Sequence, residues 1–98
     1  SASLNTIAGR DTITGFAASG SFSDLLDFSA LNPNLNIAGP LSSGSPVAAN
    51  SIAWAFVQGN AMVYVNNTAS ALATSNTSLM EITLAGVSSG LSASNFRA

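Results

Sequence analysis

The sequence predicts an all-β domain, a small β-sandwich or two-layer β unit, and three observations carry that expectation. Short segments alternate apolar and polar residues with a period of two, Gly and Pro punctuate them, and no stretch carries an apolar stripe at helical spacing over a useful length. The 98 residues read as one domain over 1–98, with a loop at 32–50 between two halves.

Asp11-Thr12-Ile13-Thr14-Gly15-Phe16 alternates polar and apolar positions and predicts a half-buried strand. Ala17 to Ser21 follows as a turn, and Asp24 to Phe28 is a second extended segment running into a turn at Ser29-Ala30-Leu31. Pro33, Gly39, Pro40, Gly44 and Pro46 interrupt any regular element, which predicts the long loop. Ser51 to Val57 is the clearest strand, with Ile52, Trp54 and Phe56 on a core-facing side and Ala53, Ala55 and Val57 on the other. Gly59-Asn60 is expected to make a tight turn, since both residue types tolerate positive φ, and Ala61 to Val65 returns as the second arm of a hairpin. Thr68 to Ser78, rich in Ser, Thr, Asn and Ala, reads as a loop or a weak helical turn. Strand character resumes from Ser78 to Ala85 through Leu79, Met80, Ile82 and Leu84. After Gly86 and Gly90, Leu91 to Phe96 closes the chain.

Apolar residues make up 47% of the chain, much of it alanine, so the core must rest on a few large side chains. Charged residues make up only 6%: the bases are Arg10 and Arg97, the acids Asp11, Asp24, Asp27 and Glu81. Two arginines near opposite ends cannot supply the phosphate contacts that nucleic-acid binding needs, nor the basic cluster that holds a protein on an anionic membrane. No apolar run approaches the roughly 18 residues of a membrane-spanning helix, and no leader-peptide pattern is present. The opening Ser1-Ala2-Ser3, without an initiator methionine, leads to the expectation of a piece of a longer chain. His, Cys and Lys are all absent, which removes disulfides, thiolate metal sites and the usual nucleophile and base pairs. An enzyme is therefore not expected; the remaining route would be a glycosidase-type carboxylate pair drawn from the four acids. So weakly charged a surface also does little to repel a second copy, and self-association is one expectation.

Arg10-Asp11-Thr12-Ile13-Thr14-Gly15-Phe16 resembles the D-x-I-x-D-F strand of serralysin-type and related RTX C-terminal domains. Ser23-Asp24-Leu25-Leu26-Asp27-Phe28-Ser29-Ala30-Leu31 resembles the D-K-I-D-L-S-A-L segment that follows in those proteins. Gly59-Asn60-Ala61-Met62-Val63-Tyr64 is similar to their hairpin ending in Tyr. Met80-Glu81-Ile82-Thr83-Leu84-Ala85-Gly86-Val87 with Leu91-Ser92-Ala93-Ser94-Asn95-Phe96 is similar to their I-x-L-x-G-V and L-x-A-x-D-F ending. The Met80-Glu81-Ile82 segment and the Trp54 strand also resemble the bluetail domain found at the C-termini of bacterial surface proteins. The match runs in order over nearly the whole chain. It implies a unit that continues or caps a β-roll of calcium-binding repeats, outside the cell or on its surface, with upstream repeats of the same chain and a type I exporter as partners. The sequence departs from the family where Gly15 replaces a second Asp, where 66–78 lacks acids, and at the end Asn95-Phe96-Arg97-Ala98.

Asp24 and Asp27, with Asp11 as a third ligand, could hold calcium if a turn brings both carboxylates to one side. The plainer account makes Asp24 and Asp27 turn-forming acceptors of backbone N–H groups, because three carboxylates are few for the oxygens calcium prefers. No cofactor is required by either account. Arg10 beside Asp11 reads as a solvated charge pair rather than a ligand site. Trp54 and Tyr64, on neighbouring strands, are either core packing or a sugar-stacking platform. Asn66-Asn67-Thr68 and Asn76-Thr77-Ser78 match glycosylation sequons, which a bacterial source would leave idle. The expected function is a non-enzymatic terminal module of a secreted surface protein; the alternatives are a carbohydrate- or ligand-binding module and a self-associating surface-layer unit.

Overall fold

The computed structural model describes residues 2–3, 10–17, 24–29, 31–32, 34–42, 44–76 and 78–97, the side chains of residues 2, 3, 10 and 11 excepted. Strands β1 (Ala2–Ser3), β2 (Arg10–Ile13), β3 (Leu26–Asp27), β4 (Asn36–Pro40), β5 (Ser51–Val57), β6 (Asn60–Asn66), β7 (Met80–Leu84) and β8 (Phe96–Arg97) make two sheets, and a 3-10 turn at Ala93–Asn95 leads into β8. The architecture is all-β in two layers. Among the described residues no helix is long and apolar enough to cross a membrane.

The larger sheet has the order β2-β7-β6-β5-β4. Its centre, β5 to β7, is antiparallel, and it is flanked by β4 and β2, each parallel to its neighbour. The smaller sheet, β1-β3-β8, is parallel throughout and built from two-residue strands.

Period-two alternation decides which side chains meet between the layers. Ile52 and Trp54 of β5, Val63 and Val65 of β6, and Ile82 and Leu84 of β7 share one face and pack with Leu26, Phe28 and Phe96 in a single apolar cluster. Trp54 stacks on Phe96 with ring centroids 4.8 Å apart and planes at 16°, which seats the C-terminal strand on the larger sheet. The opposite face is also covered. There Val47, Ala53, Tyr64 and Leu79 form a second cluster, flanked by Leu41, Ala55, Met62 and Leu72. The loops before β5 and after β6 reach it by pairing Val47 with Leu72, whose N–H and C=O groups bond each other at 2.7 and 2.9 Å.

Several local expectations are corrected. The strand expected over Asp11 to Phe16 is Arg10–Ile13 and stops before Thr14, and the strand character expected from Ser78 to Ala85 is confined to Met80–Leu84. The segment 32–50 is not all loop, because Asn36–Pro40 pairs with β5 as an edge strand. Pro is tolerated at such an edge, and Gly39, at φ +94, takes up the register shift between Ile37 and Gly39. The hairpin turn is Gln58-Gly59 rather than Gly59-Asn60: Val57 pairs with Asn60, and both central residues have positive φ, +50 and +80, the mark of a type I′ turn. Phe56 is 42% exposed instead of buried beside Ile52 and Trp54. It sits near the end of the hairpin, beyond the reach of the facing sheet. The turn expected at Ala17 to Ser21 lies mostly outside the described residues.

Candidate functional site

Asp24 precedes β3 and Asp27 lies in it, and both carboxylates serve the backbone. Asp24 Oδ2 accepts the Ala17 N–H at 2.8 Å, while the Asp24 N–H donates to the Ala17 carbonyl at 2.6 Å, which ties the end of the segment 10–17 to the residues before β3. Asp27 Oδ1 accepts from the Ser29 hydroxyl at 2.6 Å and the Ser29 N–H at 2.9 Å, an Asx-type turn that ends β3. The Ser29 hydroxyl and amide hold the Asp27 carboxyl below its ordinary range; desolvation opposes this, and Arg97, opposite Asp27 in register on β8, adds attraction. Asp11 is on β2 in the other sheet, paired with Ile82, and its side chain and that of Arg10 lie outside the described residues. Among the described residues no group of three or more His, Cys, Asp or Glu could hold a metal ion.

The register separates the two candidate aromatics. Trp54 pairs with Val63 and Tyr64 with Ala53, so the rings occupy opposite faces of the sheet and are 3% and 8% exposed. A platform shared by Trp54 and Tyr64 is therefore ruled out by geometry; each ring packs in its own cluster. The first sequon has a structural use. Asn66 is fully buried, its Nδ2 donates to the carbonyls of Val47 (3.0 Å) and Ser70 (2.8 Å), and its Oδ1 accepts from the N–H (3.0 Å) and hydroxyl (2.6 Å) of Thr68. A glycan on Asn66 is incompatible with that burial. Asn76 caps an exposed turn by accepting the Ser78 N–H at 2.8 Å. Asn95 is also fully buried, donating to the Asp24 carbonyl at 2.9 Å and accepting the Ser92 N–H at 3.0 Å, so it ties the C-terminal turn to the start of β3.

Concavity lies elsewhere, on the face of the sheet that carries Tyr64. A cleft of about 290 Å³ opens there. Its sheet side is Ala55, Phe56, Val57 and Tyr64; its other walls come from Leu41, Ser42 and Ser45 and from Thr74. Among the described residues no carboxylate, ammonium or guanidinium lines it. Of these residues the sequence marks Tyr64 alone as a candidate. Alternation alone places Phe56 in the core, and its position just before the hairpin turn is the signal for its exposure.

Comparison with protein-family models, with curated proteins and with solved structures finds no match for this chain.

Proposed function

We propose that the chain is a non-enzymatic terminal module of a secreted bacterial surface protein, covering the end of an upstream repeat array and accompanying type I export. The observation that carries this reading is the small sheet β1-β3-β8, parallel throughout and made of two-residue strands. Short parallel strands in register are the way stacked repeats of a β-roll pair, and an array of them leaves an apolar, hydrogen-bonding end that a terminal unit must cover. Strands of a preceding repeat would join at β1, the edge of that sheet. The absence of His, Cys and Lys, the low charge, and the ordered resemblance to RTX and bluetail C-terminal domains support the same reading.

The test is to fuse the chain behind an RTX-type repeat array and compare it with the array alone. The fusion is expected to melt higher than the array and to accumulate in the medium of cells carrying a type I exporter. An array that melts identically without the module, together with a fusion retained in the cells, would sink the proposal.

A further inference from the structure

Apart from β4 to β6, the strands alternate between the sheets along the chain: β1 in the smaller, β2 in the larger, β3 in the smaller, β7 in the larger and β8 in the smaller. Within each sheet these strands lie parallel and adjacent, β1 with β3, β3 with β8 and β2 with β7. That is the path of a solenoid. Residues 10–28 and 80–97 are two stacked coils, and β4 to β6 are inserted between them.

The coils match residue by residue. Register sets Thr12 beside Thr83 and Ile13 beside Leu84. The same step along the sequence aligns Gly15 with Gly86, at φ +75 and +79, and Phe16 with Val87, both buried between the sheets. Each coil therefore carries Thr-(Ile or Leu)-x-Gly-apolar, where the glycine supplies the positive φ that turns the chain out of the larger sheet. Bonds run from coil to coil: the Ala85 N–H to the Ile13 carbonyl at 2.9 Å, the Phe28 N–H to the Arg97 carbonyl at 2.7 Å, and Asn95 Nδ2 to the Asp24 carbonyl at 2.9 Å.

The two ends of this stack differ. Beyond coil 80–97 the larger sheet continues into antiparallel β6, with β5 and β4 behind it, so the place of a next coil is taken. At coil 10–28, among the described residues, β2 is the edge of the larger sheet. The Ile13 carbonyl is turned toward β7, and neighbouring residues of a strand direct their backbone groups to opposite sides, so those of Arg10 and Thr12 point outward from β2. In the smaller sheet β3 follows β2 and β8 follows β7, whereas β1 holds the equivalent place with no larger-sheet strand before it among the described residues. We propose that the outer edge of β2 receives a strand of the upstream repeats, parallel to β2 and carrying the same Thr-(Ile or Leu)-x-Gly-apolar pattern, whose chain then runs into β1. The occupant follows from the pairing already present, since β2 takes β7 in parallel register on one side and a coil of the same shape continues that register on the other. The proposal rests on the reading of the chain as the end of a repeat array and says which edge meets that array and in what register.

The experiment sets a copy of residues 80–95 in front of Ala2, in place of Ser1, so that the copy meets β1 as Asn95 meets β8, and follows amide hydrogen exchange by NMR. The Arg10 and Thr12 amides are expected to exchange about tenfold more slowly than in the parent, the scale of one net strand hydrogen bond, independently of protein concentration. A copy carrying Leu84→Asp, which would set a carboxylate against the core, should leave them as in the parent. The proposal is overturned if the intact copy gives no protection, if the Leu84→Asp copy protects as well, or if protection appears only as concentration rises, which would put a second molecule at the edge. Unprotected amides beside an array fusion that melts higher and is exported would overturn this edge and leave the capping reading standing. Protected amides beside a fusion neither stabilised nor exported would support the edge and overturn the capping reading.

Discussion

Single residues here do work that their type alone does not announce. Trp54, 3% exposed and stacked on Phe96, joins the two layers. Trp54→Ala should cost about 3–5 kcal/mol, transfer and cavity terms together, read as a shift in the urea midpoint by circular dichroism. A red, readily quenched tryptophan emission from the parent chain would contradict its burial. Asn66 uses its donors and acceptor on the Val47, Thr68 and Ser70 backbone and the Thr68 hydroxyl. Asn66→Ala strands those groups, at about 1–3 kcal/mol for each that water does not reach, and should also loosen the loops over the Tyr64 face. Faster amide exchange at Val47 and Leu72 than in the parent would report that loosening. Asp27 sets a pH dependence. Its carboxyl is held low in the fold by the Ser29 hydroxyl and amide, so the stability it contributes is complete above the unfolded value of about 3.9 and is lost as pH falls through the lower folded value. Urea midpoints of the parent should therefore fall more steeply below about pH 4 than those of Asp27→Asn; parallel curves would mean the Ser29 bonds do not favour the charged form.

At the scale of elements, the β5 and β6 hairpin supplies the centre of the larger sheet and borders the cleft. Its turn places Gln58 at φ +50, a conformation that costs an ordinary L-residue roughly 1–2 kcal/mol and that Asn adopts more readily. Gln58→Asn, which creates the preferred Asn-Gly pair of this turn type, is expected to raise the melting temperature, and an unchanged or lower value would mean the turn is not of that type. Strands with clean alternation were legible in the sequence: Ser51–Val57 has the expected bounds, Ile52 and Trp54 meet one apolar cluster and Ala53 the other, while Phe56 and Val57 at its end are exposed. Asn36–Pro40 was hidden because Gly39 and Pro40 signal a break, and an edge strand with a bulge accommodates both. Of the two-residue strands, Leu26–Asp27 was legible within the extended segment Asp24 to Phe28, but its sheet partners were not, since they pair only through contacts distant in sequence. The role of Asp27 as a turn acceptor was legible, because Asp followed two residues later by Ser has that local use; Asp24 also accepts a backbone N–H, but from Ala17, seven residues upstream. The cleft was not, for its walls lie on three separate segments that contacts distant in sequence bring together, the Val47 and Leu72 bridge and the Leu41 N–H bond to the Trp54 carbonyl among them.

For the whole molecule, the arrangement of the two clusters implies one cooperative unit. Trp54 reports on the cluster between the sheets and Tyr64 on the opposite face, and both belong to the same central hairpin. Neither cluster can be lost without uncovering a face of that hairpin, so tryptophan emission, near-ultraviolet tyrosine dichroism and far-ultraviolet dichroism should unfold with one midpoint. Calcium enters at the same scale. A specific site would raise stability by RT ln(1 + [L]/Kd), about 2.7 kcal/mol at a hundredfold excess over Kd. Any ion at Asp24 and Asp27 must share carboxylates already bonded to Ala17 and Ser29, and those bonds close their turns without it. The expectation is a single coincident transition whose midpoint changes little between calcium and chelator, in the parent and in Asp27→Asn alike. Non-coincident midpoints would show that the faces unfold separately. A chelated chain unfolded at room temperature, or a large calcium-induced rise abolished by Asp27→Asn, would show instead that the acids of β3 bind a metal on which the fold depends.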